Sequence, residues 1–121
     1  MKRILVIEDS AFIRYLLQEN LLELQMEIIG ESSTSEEGFE LFQKYKPDVT
    51  LIDYSLSTGS GLELAEKILK ENMYARLILM LPYRMFYQAQ ELIAMGIRAV
   101  VSKPFYPEKL QSTLIEAIED F

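Results

Sequence analysis

Short, unbroken apolar runs alternate from end to end of the chain with longer stretches whose hydrophobic residues recur at helical spacing. The runs Ile4 to Ile7, Val49 to Ile52, Leu77 to Leu81 and Ala99 to Val101 are continuous enough to be strands covered on both faces, the mark of repeated βα units and a parallel sheet. A fifth run, "MEIIGE", carries Glu27 and reads as an edge strand. Between the runs, Ile13, Leu16, Leu17 and Leu24 form one helical stripe, Leu62, Ala65, Ile68 and Leu69 a second, and Leu110, Leu114, Ala117 and Ile118 a third. Helices also fit Glu36 to Tyr45 and Met85 to Met95, with Pro47 closing the first and Gly96 standing beyond the second where a left-handed cap is needed. The expected fold is α/β, a (βα)5 doubly wound, flavodoxin-like three-layer sandwich with strand order 2-1-3-4-5, filling residues 1–121 as one domain.

A chain of 121 residues removes roughly two-thirds of its unfolded surface from water, so its core needs no disulfide or metal staple. Histidine and cysteine are both absent, which excludes the usual zinc sites, disulfides, thiol nucleophiles and every histidine-based acid or base. The net charge of −7, with twelve basic residues scattered along the chain, argues against direct nucleic-acid binding and against anionic membranes. The apolar run after the two basic residues of "MKRILVIED" is too short for a signal-peptide core or a spanning helix, and a cytoplasmic location is expected.

Ligands of doubly wound sheets sit at the carboxyl ends of the strands. In "VTLIDYSLSTGSG" a buried strand runs straight into Asp53, a carboxylate with no basic residue near it in sequence. Strand 1 runs into Glu8 and Asp9, its neighbour strand 3 into Asp53, and strand 5 into Lys103. Three carboxylates converging on one crevice need cations, because two unit charges 4 Å apart repel by about 4 kcal/mol at an effective dielectric of 20. Lys103 supplies one cation. Mg²⁺ fits the remainder, since it is held by carboxylate oxygens while keeping waters and accepting phosphate as a ligand. Singly, these residues have plainer uses: Asp9 or Ser10 as a cap of helix 1, and Lys103 as a surface lysine. Their joint placement at three strand ends is what favours a site.

The order of these segments resembles the response-regulator receiver domains of two-component signalling. "LVIEDSAFIR" is similar to that family's first strand and acidic pair, "LIDYSLSTGSGLEL" to its acceptor-aspartate strand and loop, and "VVSKPF" to its Lys-Pro signature. The resemblance implies that Glu8, Asp9 and Asp53 bind Mg²⁺ with the Ser55 carbonyl as a further ligand. It also implies that Asp53 accepts phosphate from the histidine of a sensor kinase or phosphotransfer protein, that Lys103 contacts the phosphoryl group, and that the Lys103-Pro104 bond is cis. Such a domain is not a turnover enzyme. A phosphatase of the haloacid dehalogenase kind would need an aspartate where Ser55 stands, and "STGSG" lacks the frame of a nucleotide-binding loop.

Counting back from Lys103 and Gly96, the family's hydroxyl-bearing switch position falls on Leu81, and the next residue, whose N–H normally donates to the phosphoryl group, is Pro82. Neither donor exists here. Ser57 stands where the family usually has proline, and Val100 where it has its switch aromatic. The sequence therefore leaves two roles: a phosphate-accepting receiver with altered output, or a pseudo-receiver that docks or dimerises without phosphorylation.

Spacing places Met85, Ala89, Leu92 and Ile93 toward the core and leaves Tyr83, Phe86 and Tyr87 outward, near Phe105 and Tyr106. An exposed aromatic patch marks an interface. The face of helix 4, strand 5 and helix 5, the usual output surface of receivers, is thus expected to bind a downstream protein or a second copy. The domain is expected either alone or as part of a larger regulator.

Overall fold

The computed structural model describes residues 1–119. It contains β1 (Arg3–Ile7), α1 (Ala11–Glu23), β2 (Glu27–Ser32), α2 (Ser35–Tyr45), β3 (Val49–Asp53), α3 (Gly61–Glu71), β4 (Leu77–Pro82), a 3₁₀ segment (Tyr83–Gln88), α4 (Ala89–Ala94), β5 (Ala99–Lys103) and α5 (Pro107–Glu119). The five strands are parallel in the order β2-β1-β3-β4-β5. This is the flavodoxin-like (βα)5 sandwich that the apolar runs predict.

Alternate residues of each strand feed two cores. Ile4, Val6, Leu51, Ile78, Met80 and Val101 pack with Leu17 and Leu21 of α1 and Leu110 and Leu114 of α5. Leu5, Ile7, Ile52, Leu79 and Leu81 pack on the other face with Phe42 of α2, Leu64 and Ile68 of α3 and Leu92 of α4. Each such side chain, fully withdrawn from water, contributes about 1.5–3 kcal/mol, so a one-residue slip of register would forfeit many of them at once. Edge strand β2 carries the exposed Glu27, as its sequence suggests.

Hydroxyl caps start three of the helices just past strand ends. Ser10 accepts from the Ile13 N–H, Thr34 from Glu37 and Ser60 from Glu63, each satisfying an amide that the helix leaves unpaired. Ser10 therefore caps α1, and Asp9 is released for another role. Leu24 is the C-cap residue of α1 and packs against the first core from outside the helix.

The fourth helix departs from expectation. The sequence spacing gives one α-helix from Met85 to Met95, but the chain first makes a 3₁₀ segment and only then six α-helical residues. Pro82 precedes the segment and no side chain caps its start, so tight i→i+3 turns carry the chain away from the sheet. The change from three to 3.6 residues per turn shifts the phase. Met85, Ala89 and Leu92 still pack inward, whereas Ile93 is 50 % exposed rather than part of the core.

Gly61 opens α3 directly against β3, and a Cβ there would collide with the Asp53 carbonyl oxygen. Backbone cannot yield as a side-chain tip can. Gly61→Ala is expected to destabilise the fold by about 1–3 kcal/mol in chemical denaturation and to shift the amide resonances of Asp53 and Tyr54.

Candidate functional site

Pairing of Ile7 with Ile52 and of Pro82 with Lys103 sets the carboxyl ends of β1, β3, β4 and β5 side by side. Glu8 is fully buried and Asp53 is 3 % exposed. Lys103 reaches both: its Nζ lies 2.9 Å from Glu8 Oε1 and 3.1 Å from Asp53 Oδ2. Main-chain N–H groups hold three further oxygens, with Ser10 donating to Glu8 Oε2 at 3.0 Å, Ser55 to Asp53 Oδ1 at 3.2 Å and Ser57 to Asp9 Oδ2 at 2.8 Å. The Arg14 guanidinium donates to the Glu8 carbonyl at 2.5 Å, tying α1 to the end of β1.

Glu8, Asp9 and Asp53 each bring a carboxylate oxygen within 4.8 Å of the others. Hard oxygen donors converging at that spacing suit a divalent cation of the magnesium class. The donor set fits the ion that the sequence implies.

The electrostatics follow from the packing. Burial pushes the Glu8 carboxyl up, Lys103 and the Ser10 N–H pull it down, and Asp53 pushes it up again, leaving it at about 7 against an ordinary 4.5. Burial lowers the Lys103 ammonium, but its bonds to Glu8 and Asp53 outweigh this and raise it. Asp9 is nudged up by partial burial and brought below its ordinary value by hydrogen bonds from the Ser57 hydroxyl and N–H and from Glu8.

A carboxyl raised in the fold binds its proton more tightly there than in the unfolded chain. The stability Glu8 contributes without metal is thus fully present below about pH 4.5 and lost as pH rises through about 7. Glu8→Gln keeps an acceptor for Lys103 and removes the titration. In metal-free urea unfolding at pH 5 and pH 8, the native chain is expected to lose about 1–3 kcal/mol more than this variant as pH rises.

The other residues singled out in the sequence divide between interior and surface. Leu81 is fully buried in the second core, and Pro82 ends β4 opposite Lys103. Val100 is buried on the same side. Tyr83, Phe86, Tyr87 and Tyr106 are exposed, whereas Phe105 is half-buried and packs with the α1 and α5 core, so it stands apart from that patch. The Lys103-Pro104 bond is cis, as expected. Sequence reasoning missed the holds that Ser10, Ser55 and Ser57 place on the carboxylates. All three donate a main-chain N–H, which every non-proline residue carries, so residue type gives no sign of those holds.

A family model for the response regulator receiver domain matches residues 4–115, a span holding every residue of this crevice. The chain belongs to that family. Among curated relatives, the chemotaxis protein CheY of Thermotoga maritima is 26 % identical over 113 residues, covering 93 % of this chain and 94 % of that protein. Protein CcdB of Bacillus subtilis is 29 % identical over 110 residues, covering 91 % and 92 %. The transcriptional regulatory protein PdtaR of Mycobacterium tuberculosis is 31 % identical over 118 residues, covering 98 % of this chain but 55 % of its own length. Among solved structures, the receiver domain of NtrX from Brucella abortus superposes with a TM-score of 0.90 at 22 % identity, covering 98 % and 99 % of the two chains. The corresponding domain of AraT, a response regulator from Geobacillus stearothermophilus, gives 0.83 at 29 % identity, covering 98 % and 93 %. Among the described residues of this receiver domain, no helix is long and apolar enough to cross a membrane.

Proposed function

We propose that this receiver accepts a phosphoryl group on Asp53 from the phosphohistidine of a sensor kinase or phosphotransfer protein, with Mg²⁺ held by Glu8, Asp9, Asp53 and the Ser55 carbonyl. The observation that carries this reading is Lys103 Nζ at 2.9 Å from Glu8 and 3.1 Å from Asp53, a cation already placed at the acceptor oxygen. The donor must be another protein, because this chain has no histidine.

An Asp53 carboxylate oxygen forms the new bond to phosphorus as the phosphorus–nitrogen bond breaks, and the departing electron pair stays on the donor's imidazole, which takes a proton from solvent. Such a transfer passes through a loose transition state and needs mainly alignment and neutralisation of the equatorial oxygens. Bound Mg²⁺ supplies part of that neutralisation. Ser55 N–H fixes the Asp53 rotamer through Oδ1, and Lys103 is positioned to follow charge from Asp53 onto the phosphoryl oxygens.

Output is proposed to differ from that of receivers with a full switch. Leu81 offers methyl groups and is already locked in the core, and Pro82 has no N–H, so two charge-assisted bonds of about 1.5–3 kcal/mol each are missing at the end of β4. The same observation favours a second reading, a pseudo-receiver that docks a partner without phosphate. Incubation with Mg²⁺ and a small phosphodonor decides between them. The expected outcome is a mass gain of one phosphoryl group that is lost in Asp53→Asn, and no gain in the native chain would leave the pseudo-receiver.

The partner surface is proposed to be the α4, β5 and α5 face, where Tyr83, Phe86, Tyr87 and Tyr106 stand exposed. It would receive a downstream protein or a second copy of the chain. Truncating aromatic anchors at an interface costs about 1–2 kcal/mol each. Phe86→Ala and Tyr106→Ala are expected to weaken self-association or target binding about tenfold, read by sedimentation and by titration with the target.

A further inference from the structure

Two of the three carboxylates are fixed by burial and by Lys103, while Asp9 is only partly buried and sits on the loop between β1 and α1. Its orientation depends on Ser57 instead, whose N–H donates to Oδ2 across 48 residues of sequence and whose hydroxyl bonds the same carboxylate. Resting on the Mg²⁺ reading above, we propose that Ser57 is the positioning residue for Asp9: its main-chain N–H holds one carboxylate oxygen so that the other faces the metal position.

The loop that carries Ser57 is fixed on its far side as well. Gly59 takes a φ of +82°, and a Cβ there would collide with Ser35 Oγ at the start of α2. Ser60 then caps α3. The loop is thus tied to the β1–α1 loop through Ser57 and lies against the start of α2 at Gly59. A hydrogen bond to one oxygen of a short carboxylate removes the rotation about its last bond that metal binding would otherwise have to freeze. The carboxylate so held offers one oxygen within 4.8 Å of oxygens from Glu8 and Asp53. Partners of this kind, one bond removed from the ion, change metal affinity by about 10- to 100-fold when they are lost.

Only proline removes the N–H while leaving a side chain, so Ser57→Pro and Ser57→Ala separate the amide from the hydroxyl. Calorimetric Mg²⁺ titration of the native chain and both variants is the test, with folding checked by amide spectra. Ser57→Pro is expected to weaken Mg²⁺ binding about tenfold, and Ser57→Ala, which keeps the N–H, by less than about threefold. Equal affinity of Ser57→Pro and the native chain would overturn the role of Ser57 and leave the metal site standing. No Mg²⁺ uptake by the native chain would remove the underlying reading and this one with it. Should Ser57→Pro fail to fold, amide exchange in the native chain decides: a Ser57 N–H protected well beyond Leu56 and Thr58, with or without Mg²⁺, supports the hold, and exchange as fast as theirs overturns it.

Discussion

The site depends on one ammonium group reaching past β4. Lys103 leaves the end of β5 and meets carboxylates at the ends of β1 and β3, which would otherwise be two negative charges withdrawn from water with only main-chain N–H groups to answer them. Losing one partner from such a buried cluster costs about 3–5 kcal/mol, so the lysine is as much a condition of the fold as a part of the site. One positive charge against three carboxylates is still a deficit. Part of it is relieved by the raised affinity of Glu8 for its proton, and the oxygens that remain are spaced so that they could hold a divalent cation.

Position along the sheet explains why the catalytically suggestive residues were legible in the sequence. Glu8, Asp9, Asp53 and Lys103 each follow an apolar run directly, and a parallel sheet turns that sequential fact into a spatial one. Strand order followed from the flavodoxin-like arrangement that right-handed βα crossovers favour, with Glu27 marking one edge, whereas the apolar run of β5 gave no sign that it forms the other. The fourth helix was misread because the apolar spacing of Met85, Ala89 and Leu92 is compatible with both an α-helix and a 3₁₀ turn followed by one. What decided the outcome was an uncapped start behind Pro82. Phe105 was assigned to the surface patch on adjacency alone, yet the turn after β5 sends it inward while Tyr106 remains out.

The least legible part is the set of main-chain donors. A serine in a loop advertises its hydroxyl, and Ser10 does cap α1 with it, but its N–H serves Glu8. Ser57 looks from its sequence like a mere gap in a family pattern. In the folded chain it meets the only one of the three carboxylates that Lys103 does not touch. Backbone amides become specific only once the loops that carry them have been placed.

Leu81 and Pro82 act jointly under the proposed function. A threonine introduced there alone would put a hydroxyl into a hydrocarbon-packed core while its neighbour, Pro82, still withheld its amide. Replacing Pro82 alone would supply the amide and leave the hydroxyl missing. Restoring both donors therefore takes changes at two adjacent positions, one of them a side chain that the core already holds.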